Sequence, residues 1–166
     1  MDAPRPVLVA DANVIIDYKL SDPTILRLAS EHIAVLKVPT PVAANVWGWM
    51  EADYKQFGMQ LVKPTDEQAA EAMAMPETLV YDDWCCYIIA RDNKWGCLTN
   101  DKRLRRECKR SSISIMWGLD VLVELARVKQ LSRQATRVAA LALQKNSPAH
   151  YNAKLMELFE RKLGEL

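Results

Sequence analysis

Short apolar runs, each closed by a helix-start signal, constrain this chain more than any other feature. "VLVA" (Val7 to Ala10) follows Pro4 and Pro6, which keep the backbone extended, and it ends on Asp11. A helical spacing of Val14, Ile15 and Tyr18 comes next, and then "SDPT", with Ser21 or Asp22 as N-cap and Pro23 at the first helical position. "HIAVLKVP" reads as a second strand, followed by a helix from Val42 to about Phe57 that carries Trp47 and Trp49. Thr65 and Gln68 form a T-x-x-Q capping box ahead of an Ala- and Met-rich helix to about Met75. The run Trp84 to Ala90 is apolar throughout, so periodicity cannot classify it. Its flanks can: Asp82 and Asp83 before it and Arg91 and Lys94 after it complement a helix dipole, which makes it a buried helix.

Further strands are expected at Cys97 to Asn100 and at "SISIMW", on either side of a strongly basic helix, "DKRLRRECKR", whose Leu104 and Cys108 mark the buried stripe. Helices over residues 119–128 and 132–144 follow. A last one starts at Ser147-Pro148 and shows an apolar face of Tyr151, Leu155, Leu158, Phe159 and Leu163. Strands alternating with helices predict an α/β fold of three layers, α/β/α, with a central parallel sheet covered on both faces. A chain of 166 residues suits one domain, with its core over residues 7–132 and extra C-terminal helices over 133–166.

Charge and cysteine usage narrow the function classes. A formal net charge of +1 gives no global electrostatic footprint for nucleic acid, so any such binding must come from a local patch. The N-terminus lacks the pattern of a signal peptide and no apolar stretch approaches a membrane span, so a cytoplasmic protein without membrane contact is expected. Cys85, Cys86, Cys97 and Cys108 show no CxxC spacing and lie far from His32 and His150, which predicts reduced, buried thiols rather than zinc or disulfides. No glycine-rich loop follows the first strand, which argues against a nucleotide-binding domain.

The aspartates carry the chemistry. In open parallel sheets, ligands bind beyond the carboxyl ends of the strands. Asp11 and Asp101 each end a strand, and Asp83 starts a helix near the same rim. Taken singly, each is also what a turn or an N-cap uses. Together, converging carboxylates raise one another's pKa values. A hard divalent cation, Mg²⁺ or Mn²⁺, removes that cost and can polarise water beside a phosphodiester.

The motifs around these residues resemble a known family. "DDWCCYIIARDNKWGCLTND" is similar to the C-terminal signature of PIN-domain nucleases: an aspartate opening a helix, an alanine further along, and a strand ending in T-x-D, matched here by Asp83, Ala90 and Thr99-Asn100-Asp101. "VLVADANVIID" resembles the family's first motif, and "LTNDKRLRREC" continues the match into the basic helix. "ISIMWGLDVLVELARVKQLS" is similar to a tail of prokaryotic PIN proteins, so the resemblance spans Val7 to Ser132. It implies a PIN-like fold in which Asp11, Asp83 and Asp101 are the catalytic, metal-holding carboxylates. Asn13 and Thr99 would be supporting groups that orient ligands or water. Asp82 would add a carboxylate or, by preference, cap the helix. One position departs from the pattern: Asn45 stands where the family usually has a glutamate, and an amide carries no charge and cannot act as a base.

The implied function is a Mg²⁺- or Mn²⁺-dependent endoribonuclease, the VapC-like toxin of a toxin–antitoxin pair, forming a homodimer and held inactive by a small antitoxin protein. The C-terminal helices would serve dimerisation or antitoxin contact. Asn45 supports an alternative, a catalytically impaired PIN-fold module that binds RNA or protein. Lys102, Arg103, Arg105 and Arg106 are the expected RNA contacts, with Arg105 or Arg106 clamping a phosphate, although a charge run is otherwise a solvated face. Trp47 and Trp49, two apart on one helix, cannot both face the core. One is therefore expected to be exposed, for a protein interface or for stacking on an RNA base.

Overall fold

The computed structural model describes residues 3–166. β1 (Val7–Ala10) is followed by α1 (Ala12–Ser21) and α2 (Thr24–His32), and β2 (Val35–Pro39) by α3 (Thr40–Ala44) and α4 (Glu51–Gln56). β3 (Gln60–Val62) leads to α5 (Asp66–Ala74) and α6 (Tyr81–Asn93), and β4 (Gly96–Leu98) to α7 (Lys102–Arg110). After β5 (Ile115–Met116) come α8 (Gly118–Arg127), α9 (Arg133–Asn146) and α10 (Ala153–Gly164). The five strands are all parallel, in the order β3-β2-β1-β4-β5. Parallel neighbours cannot be joined by a tight turn, so every passage between strands carries a helix. The result is the three-layer α/β/α arrangement expected from the alternating pattern.

Packing explains why the sequence reads as it does. α6 lies across β1, β2 and β4, with α5 and α7 beside it. Trp84 to Ala90 are therefore buried all round, which is why no apolar stripe marks this helix. α7 buries Leu104 and Cys108, as expected, and exposes Lys102, Arg103, Arg106, Lys109 and Arg110 while Arg105 is half-buried. Elsewhere α2 packs on β2 and α8, α9 on α1 and α8, and α10 on α8. Through Leu143, Phe159 and Leu163 the C-terminal helices join the main hydrophobic cluster. The Thr65–Gln68 box forms, with both bonds made at 3.0 and 3.1 Å. All four cysteines are free and buried. Among the described residues no helix is long and apolar enough to cross a membrane.

Three elements differ from expectation. The single helix from Val42 to Phe57 is two short helices. The chain leaves α3 at Asn45, and Gly48 takes a φ of +81°, the left-handed conformation that glycine adopts without steric cost and that interrupts a helix. β3 was not anticipated: it is the outer strand beside β2, half-exposed, and so lacks the apolar run that marks an inner strand. The last helix begins at Ala153 rather than at Ser147. The Ser147 hydroxyl points at Asp17, 2.6 Å away, and it is Asn152 that caps α10 by accepting from Leu155 N–H.

Candidate active site

The strand order reverses direction at β1: the chain moves from β1 out to β3, then returns to β4 on the opposite side. In such sheets the carboxyl ends of the two strands on either side of this reversal, here β1 and β4, are the usual ligand position. Asp11 directly follows β1, whereas β4 ends at Leu98, short of the expected Asn100, so Asp101 follows its strand after Thr99 and Asn100; both aspartates stand beyond the carboxyl ends. Asp11 N–H donates to Leu98 O at 3.1 Å, and Thr99 N–H to Met116 O at 3.0 Å, so the ladder holds these strand ends in line.

Each of the two aspartates is also a helix cap. Asp11 Oδ1 accepts from Val14 N–H at 3.0 Å and opens α1. Asp101 Oδ1 accepts from Leu104 N–H at 2.9 Å and opens α7. Thr99 links them: its hydroxyl donates to Asp11 Oδ2 and accepts from Asp101 N–H at 3.0 Å. Capping and site-building are thus one role here, since the cap fixes each carboxylate while leaving lone pairs free.

Asp83 is held differently. It sits in the first turn of α6, half-buried, and among the described residues no hydrogen bond reaches its carboxylate. Burial, followed by the charges of Asp11, Asp101 and Asp82, pushes its pKa up to about 7. Asp11 is 2% exposed; burial pushes it up to about 6 against the opposing hydrogen bonds from Thr99 and Val14, and the Asp101 and Asp17 charges add to the rise. The Asp101 charge thus acts on both Asp11 and Asp83, and the Asp11 charge acts on Asp83.

Asp82 is not the helix cap that was expected. The N-cap position of α6 is Val80, without a side-chain bond, and Asp82 Oδ2 instead accepts from the Asn45 amide. Burial raises the Asp82 pKa, and the Asn45 bond works against that rise. Asn45, exposed at the end of α3, therefore reaches the edge of the carboxylate group. Asn13 is exposed in the first turn of α1.

The donor set suits a hard cation: three carboxylates and a hydroxyl, with no imidazole or thiolate among them. Among the described residues no three His, Cys, Asp or Glu side chains are gathered tightly enough to form a cage. Mg²⁺ characteristically keeps several waters and takes only one or two carboxylates directly.

The cations of α7 divide into two groups. Lys102, Arg103 and Arg106 are exposed. Arg103 and Arg106 line a groove of about 280 Å³ with Thr78, Leu79, Glu107 and Arg110, where Arg110 pairs with Glu107 at 2.9 Å. Arg105 lies over Trp117, its guanidinium carbon 3.7 Å from a ring centroid, with Nε buried and unpartnered among the described residues. Burial lowers its pKa and the Asp101 charge opposes that, so Arg105 serves the site's edge more as a fixed charge than as a free clamp.

Asn100 is the residue that sequence reasoning missed. Its Oδ1 accepts from Gly118 N–H at 2.8 Å and its Nδ2 donates to Tyr151 Oη at 2.9 Å, tying the loop between Thr99 and Asp101 to α8 and to the C-terminal segment. Its place between two strand-end polar residues was the available signal. No protein-family model matches the chain, and neither does any curated protein.

Proposed function

We propose that this protein is a metal-dependent endoribonuclease of the PIN type that hydrolyses RNA phosphodiester bonds. One observation carries the reading: Asp83, a half-buried carboxylate with no hydrogen-bond donor, feels the charges of Asp11 and Asp101, which stand beyond the carboxyl ends of β1 and β4 where the strand order reverses. Burial raises the proton affinity of Asp83 most and the neighbouring carboxylates add to it, and a cation placed among such charges relieves their repulsion. Asp11, Asp83 and Asp101 would hold Mg²⁺ or Mn²⁺, which when bound supplies Lewis-acid polarisation of the phosphodiester and of the attacking water. Thr99 keeps the Asp11 and Asp101 carboxylates in register, and Asn13 and Asn45 offer neutral polar contacts at the rim. Lys102, Arg103 and Arg106 neutralise backbone phosphates beside the acidic centre, which the net charge alone could not do. In the organism, the reading extends to a toxin of a toxin–antitoxin pair, dimeric and restrained by a small antitoxin protein in the cytoplasm.

A second reading has its own observation. Asn45 donates to Asp82 where the motif resemblance expects a carboxylate, so the site has one negative charge fewer. This favours an impaired PIN-fold protein that binds RNA or a protein partner without cutting. Cleavage of single-stranded RNA with Mn²⁺ decides between them. Cutting by the native chain, abolished in Asp11→Ala, supports the nuclease. Cutting only by Asn45→Glu supports the impaired module, and no cutting by either defeats the nuclease reading.

A further inference from the structure

The turn between α3 and α4 holds two tryptophans in opposite situations. Trp49 is stacked on Phe57 (5.3 Å, 15° between planes) and meets Tyr54 edge-on (5.3 Å, 89°), which anchors the turn. Trp47 is 89% exposed. An indole left in water forgoes the large apolar burial that its type usually contributes. Its place is nonetheless built. Lys19 Nζ sits over the ring, 5.6 Å from its centroid, and donates to the Trp47 carbonyl. Gly48 bends the chain at φ +81°, and a Cβ there would come within 3.3 Å of Lys19 Nζ. Two residues before Trp47, Asn45 is hydrogen-bonded to Asp82, which fastens this turn to the helix turn that carries Asp83.

We propose that Trp47 is a stacking platform for an unpaired base of the RNA that the acidic site acts on. The inference rests on the nuclease reading for its substrate class. Strand order supplies the path: β2 and β4 flank β1, so the Trp47 turn, which follows β2, and α7, which follows β4, lie on opposite sides of Asp11. A strand crossing the rim stacks a base on Trp47 with Lys19 beside it, passes the carboxylates, and lays its backbone along Arg103 and Arg106. An aromatic face paired with a cation, continued by a basic groove, is how proteins hold single strands without reading sequence. A paired base cannot offer its face to an indole, so a duplex loses this contact. Met50 and Leu20 are exposed as well, but the cation over the ring is Lys19, and a positive charge beside an indole favours the base and phosphate of a nucleic acid over an apolar protein surface.

The test is fluorescence anisotropy in EDTA, where nothing is cut, with a labelled eight-nucleotide single-stranded RNA and a matching RNA duplex. Trp47→Ala is expected to weaken single-strand binding about tenfold to a hundredfold and to leave duplex binding unchanged, while Trp47→Phe keeps most of the affinity. An unchanged melting temperature confirms that the exposed substitution leaves the fold intact. Equal single-strand affinity for Trp47→Ala and the native chain overturns the proposal and leaves the indole to a protein contact. Absence of binding by the native chain at micromolar RNA overturns it too. The platform is judged on affinity without metal and the nuclease on cleavage with Mn²⁺, so either can fail alone.

Discussion

Asp11 and Asp17 lie on the same short segment, and both are 2% exposed, yet they are handled in opposite ways. Asp17 is met by the Ser147 hydroxyl at 2.6 Å and by His150 Nδ1 at 2.9 Å, both from the segment leading into α10. Beside it Tyr18 donates to Gly118 O at 2.6 Å, so α1, α8 and the C-terminal segment are closed together by polar contacts. Asp11 receives a hydroxyl and a backbone N–H, yet burial and the Asp101 and Asp17 charges raise its pKa, and Asp83, which feels the Asp11 charge, receives no hydrogen bond. A buried carboxylate with a cationic or neutral donor is a structural tie; one surrounded by its own kind is destabilising until a cation arrives. The difference separates the part of this molecule that holds it together from the part available for chemistry.

Neutralising the second kind gives the largest expected effect. Asp83→Asn is expected to lower Mn²⁺-dependent RNA cleavage by about 10³-fold or more, as loss of a group acting directly on the reacting centre does. The same variant is expected to melt higher than the native chain in EDTA at pH 8, because it removes an unpaired charge. Loss of cleavage together with a lower melting temperature would instead make Asp83 a structural residue like Asp17.

The pH dependence follows with a definite sign. Asp11 and Asp83 bind protons more tightly in the folded state, at about 6 and about 7, than at the ordinary value of 3.8. Their favourable contribution is present in full below pH 3.8 and is lost as pH rises through 6 and 7. For the fully buried Asp11 this amounts to about 3 kcal/mol, and for the partly exposed Asp83 solvent screening leaves about 2 kcal/mol. Without metal the melting temperature should fall from pH 5 to pH 8. Mg²⁺ should restore it at pH 8 and do little at pH 5, where it must displace protons. An equal Mg²⁺ response in Asp83→Asn places the cation elsewhere.

How far these features can be read from the sequence depends on the distance over which they are made. Asp11 is legible because an apolar run ends directly on it, and Asp101 because one ends at Leu98 just before it, which in a parallel sheet puts both beyond the same edge. α6 is legible from the charges at its two ends although its middle carries no period. β3 is not, since an outer strand of "QLV" needs no continuous apolar run. The break at Asn45 was visible only as one glycine, Gly48, whose left-handed φ overrides the helical pattern around it. The Asp82–Asn45 and Asp17–His150 pairs join residues far apart in the chain, and no periodicity links such positions.

The structural tie should answer in the opposite sense. Asp17→Ala leaves Ser147 and His150 without their acceptor and is expected to cost about 2 kcal/mol, read as a lower denaturant midpoint, with the Mg²⁺ response kept. A gain in stability would mean that Asp17 is as strained as Asp83, and the contrast between the two would be lost.

The smallest effect tests Asn45. In the native chain its amide gives Asp82 a neutral donor and so limits the repulsion on that side of the carboxylate group. Asn45→Asp turns the donor into a second carboxylate facing Asp82. At this exposed edge the cost is expected to stay below about 1 kcal/mol in EDTA, because solvent screens the pair. Mg²⁺ at pH 8 should then raise the melting temperature by more than it does in the native chain, since the added charge gives the cation a further ligand. The pair of melting curves, with and without Mg²⁺, reads both parts at once. A variant whose Mg²⁺ response equals the native one would show that Asn45 lies outside the cation's reach. Its bond to Asp82 would then belong with the Asp17 contacts, as a tie between segments rather than as part of the site.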